Sequence, residues 1–478
     1  MGNSKRASWS GSLAFVLAAA ASAIGLGNLW RFPYLAAQYG GGIFIAVYLV
    51  LVVTLGFTLM VTEIAVGRRT QQAPLTAYGL IEHKWGFIGL LGTLIPVLIV
   101  PYYCVIGGWV LYYLKAYAMM AFTGVNIMGE AAVNSGDVFG AFITSSFAPF
   151  GYGMLFILAC AGVIILGVKN GIEKSNLVMM PILFLMALAI SIYVIFLPGS
   201  GEGLKYYLIP NLDCVSVDGK FSVMMFARTI LGATGQMFYS LSLAMGIMVT
   251  YGSYMKKADS IERCVRRIEI FDTLIAIIAG LMIIPVVYMF AIKTGTPVKE
   301  AMNAGPGLMF VTLPKVFAMF GAAGAWVGCA FFLLVTFAAA TSAISLYEAC
   351  VSSLCDFLGL ERKTATVFMA TAIMFLSSFS ALGYGAWGDI KLFGMQFLDF
   401  FDFFTNSVLM PIVAIATCIF IGYFAGPKCI IEECEAEGQA FKAKKLYAFM
   451  VKYLAPALMV ALLVSEICRA LGIGGWKI

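Results

Sequence analysis

Two polar side chains stand inside an otherwise apolar run near the start of the chain. The stretch ASAIGLGNLWRFPY, residues 21–34, contains Asn28 and Arg31 together with Gly25 and Gly27. The glycines alone would also fit close packing between membrane helices. A buried amide or guanidinium group, however, is costly in an apolar segment and usually faces a partner or a watery cavity. The stretch therefore indicates an interrupted helix whose polar groups bind an ion or a charged ligand.

A second interruption is predicted in GQMFYSLSLAMG, residues 235–246.

A later apolar run contains two hydroxyl side chains, Thr341 and Ser342. Ala338, Thr341 and Ser342 are spaced i, i+3 and i+4, so they share one face of a helix. One interpretation is that the two hydroxyls bond carbonyls of their own helix, as Ser and Thr in helix interiors often do.

Enzyme chemistry has little support in the residue pattern. His83 is the single histidine, and neither an HExxH nor a GxSxG motif occurs. Cys429 and Cys434 could hold a metal ion, but without a nearby histidine the pattern favours two ordinary thiols. The sequence therefore predicts a protein that binds ligands and is not an enzyme.

The composition explains which elements position these groups. Of the 478 residues 62% are hydrophobic and 11% are charged, and the mean hydropathy is +0.96. Such a chain is predicted to be an all-α integral membrane protein, because helices satisfy their own backbone groups in lipid. Runs of about 20 apolar residues, eleven in all, begin near residues 12, 41, 88, 152, 176, 226, 271, 325, 366, 398 and 446.

The basic residues predict how the chain crosses the membrane. More than half of the 30 Lys and Arg residues fall on segments that are cytoplasmic if the N-terminus is inside. We therefore expect a multi-pass protein of the cell (inner) membrane, with the N-terminus cytoplasmic and the C-terminus outside. The net charge of +6 is explained by loops beside lipid headgroups and implies no nucleic-acid partner.

The eleven runs are predicted to form one transmembrane domain over residues 1–478. The interrupted spans are the first and the sixth, which are the first members of two sets of five. This arrangement is typical of inverted repeats with a binding site between them. The predicted bounds are approximately 1–197 for the first repeat, 226–424 for the second and 444–471 for one extra helix.

Several motifs occur in the order known from one transporter family. They are GLGNLWRFPY, GGG at residues 40–42, TEIAVGRR, GQMFYSLSL, DTLIAIIAGL and AAATSAIS. With them the chain resembles the neurotransmitter:sodium symporter family, in its bacterial amino-acid branch, over nearly its whole length. The resemblance implies sodium-coupled symport of hydrophobic or aromatic L-amino acids by alternating access. A transport-inactive amino-acid sensor or a channel-like protein on the same fold is the alternative.

The resemblance also implies two sodium sites and a substrate pocket. The first sodium site would be formed by the Ala23 carbonyl, Asn28, Ser240 and Asp272. The second would be formed by the carbonyls of Ala21, Ile24 and Ala338 with the hydroxyls of Thr341 and Ser342. The residues expected to bind substrate are Ala23, Leu26, Gly27, Ile99, Tyr103, Tyr239, Ser240, Ser242, Met245, Ser342 and Leu346.

Gly25 and Asp272 indicate which class of substrate and which ions are expected. Relatives that carry biogenic amines have an aspartate at the position of Gly25, so we expect free space there and a substrate that brings its own α-carboxylate. Many relatives have asparagine where this chain has Asp272, and they bind a chloride nearby. The fixed negative charge of Asp272 therefore predicts chloride independence, unless Asp272 pairs with Arg266 or Arg267.

Two gates follow from the same resemblance. Arg31 is expected to close the outer side by pairing with Asp402, with Asp399 as the alternative partner. The inner gate is expected to contain Arg6, Trp9, Tyr254 and Asp356. The partners implied are an amino acid, sodium and the lipid bilayer. A lipid-exposed eleventh helix is compatible with a monomer or a weak homodimer.

Overall fold

Long apolar helices make up most of the protein. The computed structural model describes residues 6–129, 136–145, 147–217 and 219–472. Within these ranges nine helices are long and apolar enough to cross a membrane. They are Gly42–Thr70, His83–Thr123, Ala148–Ile165, Val168–Ile195, Ile261–Thr294, Ala322–Leu358, Arg362–Leu382, Phe397–Phe424 and Lys444–Ala470. The predicted all-α membrane architecture is confirmed.

The first predicted span is bent. Its halves, Ser12–Ala23 and Gly27–Gln38, meet at an angle of 53°, and together they make a tenth membrane-length element in the described residues. The expected sixth span consists of Val223–Ser240 followed by Ile247–Gly252. Because its second part is only six residues long, the count of eleven spans stays a prediction, as do the bounds of the two repeats.

The break in the sixth span contains residues with unusual backbone angles. Ser242 and Ala244 have φ values of 53° and 58°, in the left-handed region that side chains other than glycine rarely adopt. Neighbouring helices compensate for this strain. The Glu63 carboxylate accepts a hydrogen bond from the Ala244 amide at 2.6 Å, and the Ser242 hydroxyl donates one to the Ser22 carbonyl at 3.1 Å.

Two long helices provide the frame against which the broken spans pack. Gly86–Thr123 and Ala322–Leu358 make the most extensive contact between any two described helices. Ile99 and Tyr103 are one turn apart on the first of them, and Ser342 and Leu346 are one turn apart on the second. Each helix therefore presents a pair of residues toward the interrupted segments.

Short elements connect the spans. The connecting helices are Pro74–Ile81, Asp137–Thr144, Ser200–Leu208, Leu212–Val215, Val298–Ala301, Leu313–Ala318, Lys428–Cys434 and Ala436–Gly438. Strands Ser216–Val217 and Lys220–Phe221 pair antiparallel, with Ser216 opposite Phe221. Several helices contain wider π-helical turns, at Gly27–Arg31, Val52–Gly56, Val168–Glu173, Leu308–Thr312, Phe403–Leu409, Phe420–Phe424 and Met450–Leu454.

The helix Gly42–Thr70 packs closely against the short helix Ile247–Gly252, backbone against backbone. A Cβ atom added at Gly67 would lie 1.9 Å from the Val249 carbonyl oxygen. A Cβ added at Gly252 would lie 2.4 Å from the carbonyl oxygen of Ile64. Because these neighbours are backbone atoms, they cannot move aside by changing a side-chain rotamer. The two glycines therefore set the distance between the helices.

We expect Gly67→Ala to lower the free energy of unfolding by about 1–3 kcal/mol, the range for overpacking a tight contact. The measurement is the thermal unfolding midpoint of the purified protein in detergent. Gly162→Ala is the matched control, because a Cβ at Gly162 meets no atom within 4 Å in the described structure. Equal midpoints for Gly67→Ala and the wild type would contradict this account of the contact.

Candidate functional site

A small buried cavity lies where the two interrupted spans meet the frame helices. The structure brings to its wall all eleven residues that the sequence analysis expected to bind substrate. Ser22, Gly25, Asn28 and Ile247 complete the lining. Asp, Glu, Lys and Arg do not occur among these fifteen described lining residues. The cavity is therefore polar at its backbone breaks and carries no formal charge on its wall.

The cavity is tight in this conformation. Its volume is about 30 Å³, well below the roughly 300–1,000 Å³ of typical ligand pockets. An organic ligand therefore requires its wall to move. Met245, Ile99 and Leu346 supply adjustable apolar side chains on three different elements, and the unbranched Met245 has the most rotatable bonds.

The Tyr103 hydroxyl is the clearest unused polar group in this cavity. It is buried and forms no hydrogen bond of good geometry with the described residues, although the Leu26 amide and the Ser342 hydroxyl lie beside it. A buried hydroxyl without a partner costs free energy, typically about 1–3 kcal/mol. Its position on the cavity wall makes it available to donate a hydrogen bond to a bound ligand.

The space beside Gly25 is not free, contrary to the expectation from the sequence. A Cβ atom at Gly25 would lie 2.6 Å from the Ser342 hydroxyl oxygen and 3.2 Å from that of Tyr103. The Ser342 hydroxyl also donates a hydrogen bond to the Ser22 carbonyl at 3.0 Å. Gly25 therefore allows the helix Ala322–Leu358 to approach the broken first span closely.

Asp272 is the centre of a second cluster beside the cavity, and it is fully buried. Its carboxylate accepts hydrogen bonds from Asn28 Nδ2 at 2.8 Å and from the Ser240 hydroxyl at 2.9 Å. The Tyr48 hydroxyl donates to the other carboxylate oxygen at 3.1 Å. The structure thus brings together the three side chains expected at the first sodium site, and Ala23 lines the adjoining cavity.

The alternative role for Asp272 is not found. Arg266 forms its ion pair with Glu269 at 3.1 Å, and Asp272 forms none with any described residue. Its negative charge is therefore stabilised only by neutral donors. An oxygen-rich cluster of this kind suits a small hard cation.

The five residues expected at the second sodium site are all buried: Ala21, Ile24, Ala338, Thr341 and Ser342. The Thr341 hydroxyl donates to the carbonyls of Phe337 and Ala338 at 3.0 and 3.1 Å, as the alternative interpretation expected. The Ser342 hydroxyl instead donates across to the first span. Both hydroxyl oxygens keep their lone pairs, so they remain able to contact a cation.

The gate on the side of the N-terminal segment is closed. Arg6 forms an ion pair with Asp356 and lies 4.9 Å from the centre of the Tyr254 ring. The Trp9 indole donates to the Tyr251 carbonyl at 3.0 Å. The four residues expected at this gate therefore meet, with the ring centres of Trp9 and Tyr254 6.0 Å apart.

The expected gate on the opposite side is not closed by a direct ion pair. Arg31 makes one neither with Asp402 nor with Asp399 in the described structure, although it lies near enough to Asp402 for their charges to attract, so this gate stays a prediction. Asp402 accepts hydrogen bonds from the Tyr102 hydroxyl at 3.1 Å and from Asn406 Nδ2 at 2.7 Å, and Asp399 accepts one from Tyr384. The Arg31 guanidinium group lies 5.6 Å from the centre of the Tyr239 ring. Neutral donors thus occupy the carboxylates that Arg31 was expected to bind.

Sequence reasoning missed several groups around these sites. Tyr48 contacts Asp272, and Glu63 holds the break in the sixth span. Glu348 accepts hydrogen bonds from Tyr254 at 2.7 Å and from Arg362 at 2.9 Å behind the closed gate. Glu63 and Glu348 carried a usable signal, because an acid inside a long apolar run is rarely without a function. Tyr48 carried none, since a tyrosine in a membrane helix is usually a packing residue.

Comparisons with known proteins agree with this geometry. The model of the Sodium:neurotransmitter symporter family matches residues 6–125 and 151–474. A protein described as an uncharacterized sodium-dependent transporter, YhdH of Bacillus subtilis, is 31% identical over 470 residues, which are 98% of this chain and 99% of YhdH. The human sodium- and chloride-dependent GABA transporter 2 is 25% identical, over 96% of this chain and 80% of its own.

A solved structure is similar in three dimensions as well. The crystal structure of MhsT in complex with L-phenylalanine superimposes with a TM-score of 0.82 at 32% sequence identity. The match covers 96% of this chain and 100% of that one. The broken spans and the cavity between them therefore belong to a fold with known examples.

Proposed function

The chain belongs to the sodium:neurotransmitter symporter family, and on this premise we propose that it carries hydrophobic or aromatic L-amino acids together with sodium by alternating access. Members of this family are transporters and not enzymes. The observation that carries the proposal is the character of the cavity wall, which combines the two helix breaks, the Tyr103 hydroxyl and several small polar groups with apolar side chains and has no formal charge.

An amino acid with an apolar side chain matches that wall. Its carboxylate would bind the amides of Leu26 and Gly27, where the helix Gly27–Gln38 begins with a positive dipole end, and would accept a hydrogen bond from Tyr103. Its ammonium group would bind carbonyls of the two breaks. A charged side chain would have no opposite charge on the wall, and burying it unpaired is costly. The L-phenylalanine bound in the structure of MhsT supports this substrate class.

Sodium would bind on two sides of this substrate. At the first site the Asp272 carboxylate, Asn28 and Ser240 supply oxygen ligands beside the Ala23 carbonyl, and the substrate carboxylate completes the set. At the second site Thr341 and Ser342 would contribute hydroxyl oxygens, together with the carbonyls of Ala21, Ile24 and Ala338. Because the first ion would touch the substrate, neither would bind as well alone, and this couples the two fluxes.

Alternating access would use the two gates in turn. The Arg6–Asp356 ion pair supports a conformation in which the N-terminal side is shut, while Arg31 forms no ion pair with the described residues. Substrate binding would then draw Arg31 toward Asp402.

We place the protein in the cell membrane with a cytoplasmic N-terminus and an outer C-terminus, as a monomer or a weak homodimer.

A transport-inactive sensor or a channel on the same fold is the competing possibility. Uptake by purified protein in sealed liposomes separates the three. A symporter accumulates substrate only under a sodium gradient, whereas a sensor accumulates none and a channel only equilibrates it.

We expect sodium-driven uptake of labelled phenylalanine to be competed by Trp, Tyr and Leu but not by Asp or Lys, because the wall carries no charge. Tyr103→Phe should lower uptake at low substrate concentration by roughly tenfold or more, the effect of losing one hydrogen bond to a carboxylate. Tyr193→Phe, on a largely exposed face, is the control and should not change uptake. Strong competition by Asp or Lys with none from the apolar set would refute the substrate class.

Arg31→Ala should abolish uptake while the folded protein stays in the membrane, because the cation proposed to close that side over the substrate is lost. Uptake and the amount of monodisperse protein are measured on the same preparation. Lys205→Ala serves as the control, since Lys205 pairs with Glu202 on its own exposed helix and does not line the cavity beside Arg31. Normal uptake by Arg31→Ala would exclude the gating role.

Uptake should persist when gluconate replaces chloride, because Asp272 supplies a fixed negative charge beside the first sodium site. Asp272→Asn removes this charge and should either stop transport or make it depend on added chloride. Tyr48→Phe, which keeps the charge, should leave uptake independent of chloride. A wild-type protein that stops without chloride would defeat the proposal.

A further inference from the structure

A second, much larger cavity opens on the surface at the side of the closed gate. Its volume is about 550 Å³, and it is lined by Arg69, Ile81, Glu82, Lys84, Trp85, Phe424, Ala425, Lys428, Cys429 and Glu432. The Ala73 amide nearby donates to Asp356, the partner of Arg6, which fixes the side. None of these lining residues takes part in the substrate cavity.

Three membrane-length helices end at this cavity, which locates it at the boundary between lipid and water. Gly42–Thr70 ends next to Arg69, His83–Thr123 begins with Lys84 and Trp85, and Phe397–Phe424 ends with Phe424. The cavity therefore lies at the depth of the lipid headgroups.

The cavity wall carries charged side chains that form no ion pairs within the described residues. Arg69, Lys84 and Lys428 face Glu82 and Glu432 across it, so the wall has one net positive charge. None of these five side chains forms an ion pair within the part of the chain that the structure describes. Arg69 donates one hydrogen bond, to the Cys429 carbonyl at 3.1 Å.

An aromatic, apolar border adjoins the charges. The Trp85 ring packs against Phe420 and Phe424, at centroid distances of 5.3 and 4.7 Å. Phe424 is 66% exposed and Phe87, beside Trp85, is 47% exposed. Tryptophan at the end of a membrane helix is typical of the headgroup region. The cavity thus pairs a charged inner wall with an apolar margin suited to acyl chains.

We propose that this cavity binds one anionic phospholipid with a hydroxyl-bearing headgroup, such as phosphatidylglycerol. Its phosphodiester would neutralise the net positive charge by contacting Arg69, Lys84 and Lys428. Its headgroup hydroxyls would donate hydrogen bonds to Glu82 and Glu432, and its acyl chains would follow Trp85 and Phe424. Basic pockets between membrane helices are known to hold anionic headgroups in this way. The lipid would link the ends of three helices.

The test titrates delipidated full-length protein in neutral detergent with short-chain phosphatidylglycerol, phosphatidylethanolamine, phosphatidylcholine or inorganic phosphate. Bound lipid is counted by native mass spectrometry, and the thermal unfolding midpoint is recorded. Phosphatidylglycerol should bind as one retained molecule and raise the midpoint, and the other three should not. An equal effect of phosphatidylethanolamine would overturn the anionic requirement, and an equal effect of phosphate would overturn a lipid ligand.

Double variants test whether the lipid binds in this cavity. Lys84→Gln with Lys428→Gln should weaken phosphatidylglycerol binding about thirtyfold, the factor for losing two lysines near an anionic phosphate, whereas replacing both by arginine should preserve it. The matched control is Lys293→Gln with Lys315→Gln, in a polar cavity at the opposite ends of other helices, and it should bind like the wild type. Equal binding by the first double variant and the control would overturn the proposal.

Discussion

The need to satisfy backbone polar groups in a medium without water governs the centre of this protein. Two helices stop near the middle of the membrane, so their end carbonyls and amides lose their intrahelical partners. Side chains of neighbouring segments provide the missing hydrogen-bond partners. Glu63 accepts from the Ala244 amide, while Ser242 and Ser342 both donate to the Ser22 carbonyl. The cavity exists where these groups converge. The groups that hold the breaks open are thus beside those proposed to bind substrate and sodium.

Much of this site was predictable because its residues lie in locally recognisable patterns. Asn28 and Arg31 inside an apolar run indicated the first break, and pairs at helical spacing, such as Ile99 with Tyr103, indicated two cavity-facing helices. The family and the membrane fold inferred from the sequence are confirmed. The assignment of each cavity residue to substrate or sodium remains a prediction.

What the sequence could not show are contacts made between distant segments. Tyr48 and Asp272 are more than two hundred residues apart, and nothing in the pattern around Tyr48 distinguishes it from a packing tyrosine. The neighbour of Gly25 was also hidden, because the Ser342 hydroxyl fills space that a family comparison treats as free. The absent Arg31–Asp402 pair has a different origin. A motif indicates that two residues can meet, but the choice among Tyr102, Asn406 and Arg31 as partners of Asp402 depends on the conformation.

The small volume of the central cavity also affects how the protein behaves when nothing is being carried. With a central cavity of only about 30 Å³ and Arg6 paired with Asp356 on one side of it, the protein leaves little space for a continuous file of water between the two sides of the bilayer. Ions and protons cross membranes by such hydrated files, since the surrounding helices are apolar. A packed centre therefore limits the leak of ions and protons through the protein. We therefore expect an idle molecule in this conformation to keep the membrane potential intact and to preserve the gradient that its own working cycle would consume.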